Sequence, residues 1–352
     1  MTTRRDFLRT SLLGVAGLTL APVFKLSGAA KPMKEKSIMT VTGPISLAEA
    51  GTFLTHEHIL SRFGLEPAEP PVYDEKKVYK QVAPYLKYLK SLGIQTIADC
   101  TTAYFGRDAG ILKELSRQSG MNIVANTGFY GAANDRYVPS LVSSSSPEKI
   151  AQKWIDEFNK GIEDGIKPGF IKTAIDGGGM SDTDRKLVEA AAITSKETGL
   201  SIAVHTGGNL EGAKKEMEIF DRHGVGLDSW IWVHAQGADI GAITDAARKG
   251  AWISIDDLRQ PYYDLKTQKP FESNTLEKDL KILREFKKQG LLNQVLLSHD
   301  GTSYPPEGTM IRHFDVLIKS FVPMMKAAGF SDEEIKLLTV ENPARAMAIS
   351  KG

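Results

Sequence analysis

A chain of 352 residues accommodates one large or two ordinary domains, and 41% hydrophobic with 25% charged residues is the balance of a globular protein with a sizeable core. With 44 basic against 43 acidic residues the formal net charge is +1, so no overall field draws the chain to nucleic acid, an anionic membrane or an acidic substrate. The single cysteine excludes an intramolecular disulfide.

Residues 1–30 read as a targeting segment rather than as part of the fold. Thr3-Arg4-Arg5-Asp6-Phe7-Leu8 resembles a twin-arginine export motif. Residues 12–24 are apolar but too few for an ordinary membrane span, and Ser27-Gly28-Ala29-Ala30 offers small residues for cleavage. No cysteine follows the run, which argues against a lipid anchor. The expectation is a signal peptide over residues 1–30 and a single domain over 31–352, periplasmic or secreted, with no membrane contact in the mature form. The competing reading is a chance Arg-Arg pair before an apolar N-terminus.

Residues 37–42 form a β-type run closed by the turn dipeptide Gly43-Pro44, which predicts a short hairpin. Strand-like runs then fall at residues 51–55, 96–99, 122–126, 169–173, 201–205, 229–234, 251–255 and 294–299. Amphipathic helical patterns lie between them, at 76–92, 109–119, 147–164, 184–198, 212–223, 238–249 and 276–289. A last helix is expected to bury Met310, Phe314, Leu317, Ile318 and Phe321. This alternation predicts an α/β fold with parallel strands, a (β/α)8 TIM barrel behind a short N-terminal hairpin. The runner-up is an open doubly wound sheet, which the lack of a Gly-x-Gly-x-x-Gly after the first strand weakens. Pro147, after four serines, suits the first position of a helix.

The histidines recur at one kind of place. The run Thr52-Phe53-Leu54-Thr55 leads into His56-Glu57-His58, and in a strand residues two apart share a face. His205, His234 and the pair His299-Asp300 also end apolar runs. Parallel barrel strands deliver their C-terminal ends to one rim, so these side chains converge on one mouth and suggest a shared metal site. Lys172 ends the fourth strand and faces the same mouth, either as an ordinary cation or as a neutral amine with a lowered pKa. His299 alternates with Asp300 and should face away. His223 and His313 lie in helical patterns as surface residues, and Cys100 suits a buried structural role.

Taken together, Thr55-His56-Glu57-His58, Gly106-Arg107-Asp108, Gly161-Ile162-Glu163-Asp164, Gly169-Phe170-Ile171-Lys172, Val204-His205-Thr206, Ser298-His299-Asp300 and Glu341-Asn342-Pro343-Ala344-Arg345 resemble the phosphotriesterase family of the amidohydrolase superfamily, from about residue 40 to 349. The resemblance implies a (β/α)8 barrel with two divalent metals, commonly zinc. His56, His58 and Asp300 would hold the more buried ion, and His205 and His234 the more exposed one. Lys172, carboxylated by carbon dioxide to N6-carboxylysine, would bridge the two. A metal-bridging hydroxide would attack an ester, lactone or phosphotriester, with Asp300 as catalytic general base or as a ligand alone. The alternative is a periplasmic metal-binding protein without catalysis.

The chain also departs from the family. The phosphotriesterases carry a histidine after the seventh strand, where this chain reads Ile253-Ser254-Ile255-Asp256-Asp257-Leu258-Arg259. By rough alignment Asp257 takes that place, either as an acidic pocket group favouring a substrate with a donor or cation, or paired with Arg259. Tyr130 resembles a pocket tyrosine of the lactonases, or packs on the rim. Specificity is expected from a long loop at 260–274 and a rigid lid at 301–306. The expected partner is a small ester or lactone, with carboxylic substrates favoured over phosphotriesters, and the resemblance suggests a homodimer.

Overall fold

The structure, a computed structural model, describes residues 36–260, 262–264, 269–271 and 275–349. The expected export segment lies outside them. The chain opens with the expected antiparallel hairpin, Ser37–Thr40 on Gly43–Ser46, but it turns at Val41-Thr42, and Gly43-Pro44 begins the second strand instead of forming the turn. Ser37 also exchanges backbone hydrogen bonds with Ile349, so the two ends of the described chain meet beneath the barrel.

Eight parallel strands follow in ring order. The first is Thr52–Leu60, the second Ile94–Asp99, and the third comes in two pieces, Asn122–Val124 and Asn126–Thr127. The fourth to seventh are Phe170–Ala174, Ile202–His205, Trp230–Val233 and Trp252–Ile255. The eighth is also divided, into Val295–Leu297 and Gly301–Tyr304. Each divided strand changes partner at its break. Asn122–Val124 pairs with the second strand and Asn126–Thr127 with the fourth. Val295–Leu297 pairs with the seventh, and Gly301–Tyr304 closes the ring on the first.

The first strand is longer than its hydrophobic pattern suggests. Thr55, His56, Glu57 and His58 read as a polar strand end, yet all are buried and the strand runs on to Leu60. Glu57 explains this: its carboxylate accepts from the Gly301 backbone N–H at 2.8 Å, from Ser298 Oγ at 2.7 Å and from His299 Nδ1 at 2.6 Å. A buried carboxylate with every oxygen engaged is tolerated inside a sheet.

The sheet separates two cores. Phe53, Ala98, Val124, Phe170, Ala203, Ile231 and Leu296 fill the barrel, floored by Ile38, Ala50 and Met347. Their neighbours Leu54, Ile97, Ile123, Ile171, Val204 and Trp232 point outward to the helices. That alternation assigns every strand residue to the interior or the helical layer.

The helices begin and end where local chemistry directs. Asp108 caps Ala109–Ser119 through the Ile111 N–H at 2.8 Å, and Gly120, with φ of 69°, ends it. Pro147 does open its helix, but Pro147–Lys160 stops before residue 164, at Gly161 with φ of 102°. The expected last helix is shorter as well. Phe314, Leu317 and Phe321 are buried as expected and Ile318 is partly buried, but Met310 and Phe314 both precede the helix, which begins at Val316. The lid expected at 301–306 is instead mostly the second half of the eighth strand. In the long loop after the seventh strand, the backbone of Tyr262–Asp264 pairs with Lys269–Phe271. No helix among the described residues is long and apolar enough to cross a membrane.

Candidate active site

A cavity of about 390 Å³ opens at the C-terminal mouth of the barrel. Its floor carries His56, His58, Lys172, His205, His234 and Asp300, so the six residues singled out as ligands are brought together. They arrive by different local devices. Lys172 and His205 are in phase with the interior residues Phe170 and Ala203 and need only the alternation of the strand. His56 and His58 need a bulge. Leu54 pairs with Ile97 and Glu57 with Asp99, so one extra residue on the first strand shifts the phase and turns both imidazoles inward. His234 follows Val233, which faces the interior, and would point outward on a straight strand. Its φ of 57° swings it back, and Asp300 also sits in the left-handed region with φ of 49°. Such conformations cost about 1–3 kcal/mol each and concentrate at functional sites.

Three of the four imidazoles, those of His56, His58 and His234, are fixed through the far nitrogen. Thr101 donates its hydroxyl to the Leu60 carbonyl at 2.6 Å, so its oxygen accepts from His58 Nδ1 at 2.8 Å. Asp256 accepts from His56 Nδ1 at 2.9 Å and from His234 Nδ1 at 2.7 Å. All three histidines are thereby left with Nε2 lone pairs aimed at the cavity floor. Burial, with the charge of Lys172, pushes His56 down to about 3 against the pull of Asp256. Burial and the neighbouring His234 hold His205 well below the usual histidine range. Burial also lowers His234, but Asp256 overrides it and the net direction is upward. Asp256 itself, although fully buried, is held well below the carboxylate range by His234 and His56.

The donor set fits a pair of divalent ions. His56 Nε2 and His58 Nε2 lie 3.4 and 3.1 Å from Asp300 Oδ1. Donors bound tetrahedrally at about 2.05 Å stand roughly 3.3 Å apart. His56, His234 and Asp300 offer ligand atoms that all lie within 4.8 Å of one another. Lys172 is buried, and its Nζ has no hydrogen-bond partner among the described residues. An ammonium in that state is costly, whereas a carbamate on the same nitrogen would present oxygens to ions held by the histidines.

Tyr130 stands on the cavity wall, its ring stacked on Phe105 at 5.0 Å and its hydroxyl 3.4 Å from His205 Nδ1. Both readings of this residue therefore describe it, since it packs on the rim and reaches the site. Asp257 and Arg259 are placed differently from the pocket reading. They form an ion pair with each other, and neither is among the described residues lining the cavity. The reason is strand phase: Trp252 and Ser254 face the interior, so the next inward residue is Asp256.

Asp256 and Arg312 are functional candidates that sequence reasoning missed. Strand alternation would have found Asp256, two residues beyond Ser254. Arg312 carries no such signal, because it sits in a loop after the eighth strand. Its Nη2 lies 3.0 Å from Asp300 Oδ2. Burial raises Asp300, but Arg312 first and then the histidines hold it well below the carboxylate range. His299 faces away as expected, donating to Glu57 and accepting the Leu317 N–H at 3.0 Å. Cys100 is buried in the barrel interior, and burial pushes its thiol up. His223 ends its helix, while His313 is exposed in a loop rather than in a helix.

Comparison with known proteins agrees with this architecture. The chain is 27% identical over 306 residues to the phosphotriesterase homology protein of Escherichia coli (strain K12), covering 86% of this chain and 99% of that protein. It is 26% identical to an aryldialkylphosphatase of Saccharolobus solfataricus, over 86% of this chain and 96% of that one. It is 22% identical to an N-acetyltaurine hydrolase of Rattus norvegicus, over 87% and 96% respectively. Among solved structures, the organophosphorus hydrolase from Deinococcus radiodurans superposes with a TM-score of 0.78 at 23% identity, covering 91% of this chain and 99% of that one. The family model for the phosphotriesterase family matches residues 36–347, and the chain belongs to that family.

Proposed function

We propose that this chain is a metal-dependent hydrolase of carboxylic esters or lactones. It would use two divalent ions, zinc in the first instance, with Lys172 carboxylated by carbon dioxide. The proposal includes export of the mature chain from near Ala30 or Lys31, and N-terminal sequencing of periplasmic material checks that part.

The observation that carries the reading is Lys172, a buried amine without a hydrogen-bond partner among the described residues, lining the same cavity as four histidines. His56, His58 and Asp300 would hold one ion and His205 and His234 the other, with the Lys172 carbamate between them. Two such ions supply Lewis acidity toward a substrate oxygen and bring the ionisation of water toward neutral pH. The remaining work belongs to side chains. Asp300, ionised and on the floor, accepts the proton released from attacking water. Thr101 and Asp256 keep their imidazoles in one tautomer throughout. Burial raises the Tyr130 phenol, so it stays protonated and donates a hydrogen bond to the ester or ring oxygen.

Asp257 gives no support to the carboxylic preference, because it is paired with Arg259. The support comes from the wall, where Phe105 and Tyr130 stack with planes 6° apart. A planar ester lies along such faces with less displacement than a tetrahedral phosphorus bearing three ester groups and a phosphoryl oxygen. The test is metal analysis with kcat/KM on lactones, aryl esters and paraoxon-like triesters. Lys172→Ala should lose metal and most activity, with partial rescue by added short carboxylates. Full activity and metal content in that variant would refute the bridge. Triesters winning by more than about tenfold, roughly 1.4 kcal/mol, would refute the carboxylic preference.

A further inference from the structure

Of the described residues lining the cavity, only Lys172 on the floor and Arg312 on the wall are lysine or arginine. Lys172 is buried, whereas the Arg312 side chain keeps 28% of its surface exposed. Arg312 is also held in place. Its backbone pairs with Thr302 on the closing strand, donating at 3.0 Å and accepting at 2.9 Å. A guanidinium carries five N–H donors. Among the described residues one of them is engaged, on Asp300 Oδ2 at 3.0 Å. Asp300 directs its other oxygen toward His56 and His58. The same arginine, with Met310, also lines a second cavity of about 600 Å³. The other cations there are matched: Arg259 by Asp257, and Lys319 by Asp315 at 3.1 Å.

We propose that Arg312 is an anion anchor, and that the natural substrate is an ester or lactone carrying a carboxylate a few carbon atoms from the scissile carbonyl. The inference rests on the hydrolase reading above and narrows its substrate class. Three features carry it: a partly exposed guanidinium on the cavity wall with one donor engaged among the described residues, a backbone fixed by the Thr302 pair, and Asp300 shared between the arginine and the histidines. A planar fork of this kind takes a carboxylate through two parallel hydrogen bonds. Asp300 stands between the guanidinium and the histidine donors, with Oδ2 on Arg312 and Oδ1 toward His56 and His58. A chain of a few carbons reaches from the guanidinium to the histidine donors.

The experiment compares two esters of equal length and leaving group on zinc-loaded enzyme. One is mono-4-nitrophenyl glutarate, which is anionic, and the other is 4-nitrophenyl valerate, which is neutral. The anionic ester should have the higher kcat/KM by about tenfold or more, chiefly through KM, and the advantage should shrink as salt rises. Arg312→Gln should reduce the ratio to within about threefold, and Arg312→Lys should retain part of it. The ratio is the readout, because Arg312 touches Asp300 and either rate alone can change. In parallel, calorimetry measures glutarate against valerate binding to the same protein and to Arg312→Gln. Tighter glutarate binding that is lost in the variant supports the anchor. Equal ratios in the wild type, or a ratio unchanged in both variants, would overturn it. If neither ester turns over, the hydrolase reading has failed, and the binding difference alone decides the anchor.

Discussion

Replacing Asp256 with asparagine should weaken both metal positions at once without touching the cavity. Asp256 is fully buried and receives Nδ1–H from His56 at 2.9 Å and from His234 at 2.7 Å, together with Ser254 Oγ at 2.7 Å. An amide at this place keeps one acceptor oxygen and turns an NH2 toward the other histidine, whose Nδ1–H then faces a donor. Whichever ring loses its partner can change tautomer and withdraw its Nε2 lone pair from the floor. Hydrogen bonds to a charged group contribute about 1.5–3 kcal/mol each, and losing such support for a ligating histidine typically costs 10–100-fold in metal affinity. The assay is competitive chelator titration of zinc on wild type and Asp256→Asn, with metal content read by mass spectrometry and the fold checked by circular dichroism. The proposed ion whose histidine faces the NH2 should lose about 1.4–2.8 kcal/mol of binding free energy, and the other, whose histidine keeps a neutral acceptor in place of a charged one, should lose less. Two zinc equivalents held with unchanged affinity would refute the reasoning.

Other perturbations probe the same framework. Thr101→Val removes the acceptor for His58 Nδ1 at 2.8 Å and should weaken one ion by about tenfold while sparing the other, seen as a split in the same chelator titration. Gly128→Ala should be severely destabilising, by several kcal/mol, because Gly128 has φ of 131° and a Cβ there would stand 1.9 Å from the Lys172 carbonyl oxygen; thermal melting checks it. Asp279 is buried, its carboxylate oxygens have no hydrogen-bond partner among the described residues, and burial raises it to about 7 from the ordinary 3.8. The native state therefore binds its proton more tightly than the unfolded chain, so stability falls as pH rises from about 4 to 7, by at most ~4 kcal/mol. Asp279→Asn should raise the melting temperature at pH 8 and have little effect near pH 4, and equal effects at the two pH values would contradict this.

Much of this site was legible because barrel strands alternate. Phe170, Ala203 and Leu296 point inward, and counting in twos from them reaches Lys172, His205 and Asp300 and sets His299 on the other side. The same count from Trp252 through Ser254 reaches Asp256, so the rough alignment to Asp257 set aside a signal that was present. What counting could not supply was the bulge between Leu54 and Glu57 and the left-handed turn at His234. Neither leaves a mark in residue type, since no glycine or proline stands at 55 or 234. The His-x-His spacing did bring His56 and His58 into one group, but the face they take depends on the bulge. The extent of the first strand was hidden for a related reason. Its polar residues look like a strand end until their partners at 298–301 are known, and those lie some 240 positions away in the chain.

Two carboxylates outside the cavity account for the rigidity of the floor. Glu57 binds the backbone N–H groups of His299 at 3.1 Å and Gly301 at 2.8 Å, on either side of Asp300. Asp256 binds the backbone N–H of His234 at 3.1 Å as well as its ring. Each carboxylate thus clamps one of the two left-handed residues of the floor, Asp300 at φ of 49° and His234 at φ of 57°. The strain of those conformations, about 1–3 kcal/mol apiece, is of the same order as the charge-assisted hydrogen bonds that oppose it. Neither carboxylate is stable alone in an apolar interior, and neither left-handed residue is stable without its clamp. Strain and buried charge therefore offset each other pairwise. The imidazoles and Asp300 then hold their directions before any ion arrives, so little ordering cost is left for binding.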